Sequence, residues 1–397
     1  MKRPVIGGLT VSVLTCGMLF YFACGGGGGD SKPQRLAFYT STAGNGALAT
    51  WGDVSGSGLT GLMAADAVCQ ARANAAALAG TYVAWLSDDT DDAYCRVHGL
   101  SGKKIDQCGQ SVLPTTAGPW FRTDGKPFTG SIEGLTLRGV VFNPMQTDES
   151  GRAEAEYISY WTATNGAGVA TANNCNNWMD SNVSGPFVDI GVTYGTVGWF
   201  TDVVYTAVCW QYGSLLCLET GSGNAVPNPA DEGKVVFATS AVGNGNLGTW
   251  PLANGATGIA AGDNICQGLA QAALIPNSGD FKAWLSDSST DAIDRLTSDG
   301  PWVRLDGVQV AASKSALINS WLETSISVTV NGQYTRSSVW TGTNGNGLGG
   351  GSTCSDWTDG DSASGAVGDS AQSDDTGWSG TAVSSCSSIA RLYCFED

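Results

Sequence analysis

The cysteines are the residues of this chain whose types and spacing most clearly could do chemistry. Ten of the twelve lie beyond residue 60 and fall into a pattern. Cys175 is followed by Asn-Asn-Trp178 and Cys354 by Ser-Asp-Trp357, while Cys209/Cys217 and Cys386/Cys394 are both eight apart. Cys69 and Cys266 stand ahead of each set, and Cys95 and Cys108 have no counterpart. Structural zinc prefers close Cys-x-x-Cys steps and often histidine. No such step exists here, and His98 is the only histidine. Disulfides are therefore preferred, and they require an oxidising compartment.

A second candidate chemistry is cation binding. Asp356, Asp359 and Asp361 place three carboxylates at i, i+3 and i+5 in a Gly-rich loop, and calcium takes six to eight oxygens, often from such loops. The matching loop offers Asn176, Asn177, Asp180 and Asn182. Asn176, Trp178, Asp180 and Trp357 are the ligand-binding candidates, since tryptophan at a loop rim is a favoured anchor. Each has a plainer reading. Short acidic runs fill ordinary surface loops, and this is preferred to a calcium site. Tryptophans repeated at equal positions suggest core packing. Asp88, Asp89, Asp91 and Asp92, matched by Asp287 and Asp291, are best explained as caps of a short helix. Arg122/Asp124 and Arg304/Asp306 read as turn and salt-bridge residues. His98 reads as a loop residue, and the Gly-rich stretches follow no strand-to-helix phosphate pattern. No catalytic residue is nominated, and an enzyme is not expected.

The elements that position these residues come twice. Leu36-Ala-Phe-Tyr-Thr-Ser-Thr-Ala-Gly-Asn-Gly recurs as Val235-Val-Phe-Ala-Thr-Ser-Ala-Val-Gly-Asn-Gly, and Ala84-Trp-Leu-Ser-Asp88 as Ala283-Trp-Leu-Ser-Asp287. The period is too long for a solenoid, so a whole domain is duplicated: residues 36–219 and 235–397, joined by a linker at 220–234 that is rich in Gly and Pro. From Ala84 to Gly118 is 34 residues, but from Ala283 to Gly300 only 17. The extra 17 residues of the first repeat bring Cys95 and Cys108. A loop inserted with its own two cysteines most simply staples itself, so these two are paired. Each repeat is expected to open with a strand (Leu36–Ser41; Val235–Ser240) and continue with an alanine-rich helix (Gly61–Leu78; Gly258–Ile275). A strand (Tyr82–Leu86; Phe281–Leu285), an acidic turn and an Asp-Gly hairpin follow. A long loop region and two closing strands complete an α+β fold.

The N-terminus names a compartment. Met1-Lys2-Arg3 precedes an apolar stretch from Val5 to Ala23, then Cys24 and five glycines. This is a secretory signal, and it resembles a bacterial lipoprotein signal. That resemblance implies acylation of Cys24, with 1–23 removed and 24–35 left as a flexible tether reaching on the order of 20 Å. Cys16 is a weaker alternative, and plain secretion is the other reading. Removing 1–23 takes away Lys2 and Arg3 and no acid, moving the formal charge from −17 to −19. Nucleic-acid or heparin binding needs clustered Lys and Arg. No such cluster exists, so neither is an expected partner.

The helix carrying the first cysteine, the Trp-Thr-Gly-Thr segment, the Cys-x-x-Trp turn and the terminal Cys-x7-Cys strand together resemble the C-type lectin-like fold and, among animal proteins, endostatin. Ala65-Asp66-Ala-Val-Cys69-Gln-Ala-Arg72, Gly80-Thr-Tyr-Val-Ala-Trp-Leu-Ser87, Val339-Trp340-Thr-Gly342-Thr, Thr353-Cys354-Ser-Asp-Trp357 and Leu392-Tyr-Cys394-Phe-Glu396 carry the likeness, which covers both repeats almost end to end. It is shared by a bacterial family of surface proteins. The resemblance implies two tandem C-type lectin-like domains with nested disulfides: Cys69–Cys217 around Cys175–Cys209, and Cys266–Cys394 around Cys354–Cys386. Endostatin's heparin and zinc sites use arginines and N-terminal histidines that this chain lacks, so those functions do not carry over. The expected function is a lipid-anchored binding or adhesion protein for an extracellular glycan or protein, with calcium the only candidate cofactor. A structural envelope component without a soluble ligand is the alternative, and an enzyme is a more distant one.

Overall fold

The computed structural model describes residues 34–153, 158–182, 187–196, 205–227, 229–319, 321–380 and 382–397. The expected signal at 1–23, the acylation candidate Cys24 and the tether up to residue 33 lie outside the described residues.

The first repeat contributes strands β1 (Arg35–Tyr39), β2 (Tyr82–Ala84), β3 (Trp120–Arg122), β4 (Pro127–Thr129), β5 (Ser159–Trp161), β6 (Phe187–Val192), β7 (Tyr205–Val208) and β8 (Ser214–Glu219). They form one sheet in the order β4-β3-β1-β8-β5-β6-β7, with β2 also paired to β8. The second repeat supplies β9 (Lys234–Ala238), β10 (Phe281–Ala283), β11 (Trp302–Arg304), β12 (Gln309–Ala311), β13 (Ser338–Trp340), β14 (Ser364–Asp369), β15 (Ala382–Ser385) and β16 (Tyr393–Glu396). These divide into β10-β16-β9-β11-β12 and β13-β14-β15. The layout is the same. Where β5 runs parallel to β8 in the first repeat, a single bridge, Val339 to Arg391, joins the equivalent strands of the second. The architecture is mixed α+β.

Strand alternation explains why each sheet is buried on both faces. Phe38 enters a core shared with the Gly61–Ala75 helix, while Ala37 and Tyr39 enter a second core around Trp85 and Trp120. Phe237 divides from Val236 and Ala238 in the same way. Both long helices stop three residues before the sequence-based expectation, at Ala75 and Ala272. Ala77 (φ 56°) and Leu274 (φ 58°) turn left-handed, and the N–H groups of Leu78 and Ile275 close back on the carbonyls of Ala73 and Ala270. This satisfies carbonyls that the helix end would otherwise orphan.

Five disulfides staple the chain: Cys69–Cys217, Cys95–Cys108, Cys175–Cys209, Cys266–Cys394 and Cys354–Cys386. The order within each repeat is nested. The repeated Gly-Asn-Gly is explained by two close approaches. A Cβ on Gly44 or Gly243 would overlap the ring of Trp51 or Trp250, and one on Gly46 or Gly245 would overlap the sulfur of Cys175 or Cys354. Among the described residues no helix is long and apolar enough to cross a membrane.

The two repeats form one compact unit. Arg304 of the second repeat is wholly buried. It donates to Asp306, Thr324, Ser325 and Ser327 of its own repeat, and to the carbonyls of Val141 (3.4 Å) and Phe142 (3.2 Å) of the first. Thr324 Oγ1 donates to the same Phe142 carbonyl at 2.7 Å. A second seam joins Gly195 to Gln372 by a bridge. There Ser373 donates from both N–H (3.1 Å) and Oγ (2.8 Å) to the Tyr194 carbonyl, and Trp321 packs edge-on to Tyr194. The stretch read as a linker is itself bound, through Gly223 N–H to Gly118 and Asp231 N–H to Gly307.

Candidate functional site

The Cys-x-x-Trp segments are built as left-handed turns. Cys175, Asn176, Asn177 and Trp178 have φ of 51°, 53°, 56° and 64°, and Cys354, Ser355, Asp356 and Trp357 have 48°, 53°, 54° and 64°. Left-handed helical backbone costs roughly 1–2 kcal/mol per residue and seldom extends beyond single positions. Such a conformation persists only where its surroundings over-determine it. Here the first residue is anchored by a disulfide to Cys209 or Cys386. The last buries an indole completely, which contributes roughly 4–6 kcal/mol of apolar burial. The indole N–H of Trp178 donates to Ser87 O at 2.9 Å, and that of Trp357 to Ser286 O at 2.8 Å. Asn174 or Thr353 caps the turn by accepting from the N–H of Asn177 or Asp356.

The third residue of each turn, Asn177 or Asp356, binds the neighbouring acidic loop. Asp89 donates its N–H to Asn177 Oδ1, and Asn177 Nδ2 returns a bond to Asp89 Oδ2, each at 3.0 Å. In the second repeat Ser288 donates its N–H to Asp356 Oδ1 at 2.8 Å and its hydroxyl to Oδ2 at 2.6 Å. The bonds from Asn177 and Asn174 hold the Asp89 carboxyl below the usual carboxylate range. Those from the Ser288 hydroxyl and N–H do the same for Asp356. Asp359 is lowered by the N–H of Asp361 and by its other bonds within the loop.

This geometry corrects three expectations. Trp178 and Trp357 are not rim anchors: both are fully buried core residues. Asp356, Asp359 and Asp361 do not converge, because Asp356 turns to Ser288 while Asp359 folds back on Asp361 and Ser362. The carboxylate oxygens of Asp356 and Asp359 are already engaged, and among the described residues no group of three or more His, Cys, Asp or Glu side chains is placed to hold a metal ion. Asp180 accepts from Asn182 N–H at 2.8 Å within its own turn. Asn176 is exposed, at a left-handed position that asparagine tolerates. The aspartates following the Trp-Leu-Ser strand do not cap with their side chains. Asp88 and Asp287 instead tie their own turns, each accepting two main-chain N–H bonds at 2.8 Å. His98, inside the stapled insertion, packs at a tilt against Tyr94, and burial pushes its pKa down.

One arrangement had no sequence signal. A cleft of about 730 Å³ opens between the repeats, lined by Phe121, Lys126 and Pro127 of the first, Val308 and Glu323 of the second, and Pro229 of the connecting segment. Lys126 and Glu323 pair across it at 2.8 Å. Clefts of this size at domain junctions suit ligand binding. No protein-family model matches the chain, and no curated protein is significantly similar to it.

Proposed function

We propose that this chain is a lipid-anchored protein of the bacterial cell surface whose two C-type lectin-like repeats act together as a binding or adhesion module for an extracellular glycan or protein. The observation that carries this reading is the seam. Arg304, Thr324 and Ser373 tie one repeat to the other through buried hydrogen bonds, so the outer surfaces of both are presented in a fixed relation. A fixed pair of surfaces loses less freedom on binding than two domains on a loose linker. Five disulfides support an extracellular setting. The nested order of the staples supports the lectin-like assignment, which rests on the resemblance of the sequence to endostatin.

The experiment is a glycan array probed with the anchor-free protein, run beside binding to isolated cell-envelope material. Saturable binding to defined glycans or to an isolated surface protein is the expected result. Silence on the array together with retention on bulk envelope would favour a structural envelope component instead.

A further inference from the structure

The two repeats share a scaffold but not a surface, and one place where they differ is the turn before the last strand. In the first repeat Cys209 is followed by Trp210-Gln211-Tyr212, and in the second Cys386 is followed by Ser387-Ser388-Ile389. Trp210 is 43% exposed and Tyr212 is 72% exposed. Nothing in the fold requires two large aromatics in solvent here, since the second repeat closes the same turn without them. The turn is held by Gln211, whose N–H donates to Val208 O (2.9 Å) and whose Oε1 accepts from Val208 N–H (3.2 Å).

Beside this turn lies a depression of about 460 Å³. Its rim carries Ser159, Thr206, Gln211 and Tyr212, and the buried Trp161 and Ile190 form its floor. Among the described residues no charged side chain lines it, although the chain carries a formal charge of −17. Among these residues an ionic ligand would find no counter-charge. A purely apolar ligand would strip water from three hydroxyls and an amide without replacing the hydrogen bonds. A pyranose ring offers an apolar C–H face for an aromatic platform and hydroxyls for the polar rim, and tyrosine and tryptophan favour such half-apolar contacts.

We propose that this depression of the first repeat binds a neutral polysaccharide chain, with Tyr212 as the stacking platform and Trp210 flanking it. The proposal rests on the binding-module reading above and gives it a ligand class and a place. The second repeat does not share the site.

The test is affinity electrophoresis of the full chain in gels containing hydroxyethyl cellulose, galactomannan or amylose, with alginate as the charged control. The wild type should be retarded by at least one neutral polymer. Tyr212→Ala and Trp210→Ala should each weaken that retardation by about tenfold or more while leaving the melting temperature unchanged, and Ile389→Ala should behave as wild type. Equal retardation of the aromatic variants, retardation by alginate alone, or no retardation of the wild type in any neutral gel would overturn the site. If glycan-array binding persists in the aromatic variants, only the site fails. If the wild type is silent on gels, array and envelope alike, the binding-module reading fails with it.

Discussion

Asp89 and Asn177, 88 residues apart, hold each other by two reciprocal hydrogen bonds. The second repeat makes the same pair with the acid on the opposite side, as Ser288 and Asp356. The backbone bond is kept and the side-chain donor and acceptor are exchanged. A pair that changes partners together within one chain is a structural fastener. It holds the left-handed turn against the acidic loop in both repeats.

Exchanging the pair should therefore be tolerated where breaking it is not. Asn177→Asp alone sets two carboxylates face to face and is expected to lower the melting temperature by about 2–4 °C. Asp89→Ser with Asn177→Asp recreates the second repeat's arrangement and should recover most of that loss. Thermal denaturation of the two singles and the double checks it; additive losses would contradict the fastener.

The same fastener sets a pH dependence. The Asp356 carboxyl lies below its ordinary value of 3.8 because the Ser288 hydroxyl and N–H bond the charged form. Its contribution to stability is complete above that ordinary value and is lost as pH falls through the lowered folded value. Asp356→Ala should melt below wild type at pH 7, and the gap should close as pH drops below about 3 to 4. A gap unchanged at pH 2 would show that something other than the ionised carboxylate is responsible.

At the seam, Arg304→Ala leaves Asp306 without its buried cation and takes one of two donors from the Phe142 carbonyl. The expected loss is about 3–5 kcal/mol. Arg304→Lys should recover little, because an ammonium cannot reproduce the planar fork. The Lys126–Glu323 pair is largely solvated, so Lys126→Ala should cost well under 1 kcal/mol. Denaturant melts of the three variants rank them, and an Arg304→Ala variant within 1 kcal/mol of wild type would remove the weld.

Staple removal should follow loop length. The Cys95–Cys108 bond closes 13 residues, and the Cys266–Cys394 bond closes 128. Chain entropy assigns them about 3 and about 5 kcal/mol. Paired Cys→Ala variants, compared by urea denaturation, should show the insertion staple as the milder loss, with the repeat still folded. Millimolar calcium should shift no melting temperature, because the oxygens of Asp356 and Asp359 are already engaged; a shift of several degrees would reopen the cation reading.

Much of the scaffold was legible because the chain is its own comparison. The repeated Trp51/Trp250, Trp161/Trp340 and Trp178/Trp357 read as core residues, and their indole N–H groups bond the same carbonyls in both repeats. The lone insertion pair, Cys95 and Cys108, could be matched because both arrive in one inserted loop. The weld could not be read. Arg122-x-Asp124 and Arg304-x-Asp306 are alike in sequence, and only the surface beside Arg304 makes it a joint. The carboxylate spacing at Asp356, Asp359 and Asp361 suggested a ligand set, but spacing does not show where each oxygen turns. The Trp210-Gln211-Tyr212 turn gave no signal of its own in the sequence, and only its exposure gives it meaning.

The central claim is that a disulfide-stapled pair of repeats, fixed to one another, recognises something outside the cell. Its most direct test is binding of the oxidised, anchor-free protein to glycan arrays and purified surface components, repeated after full reduction and alkylation. Saturable binding by the oxidised protein that disappears on reduction is the predicted result. No binding by the oxidised form, or binding that survives loss of all five staples, would contradict it.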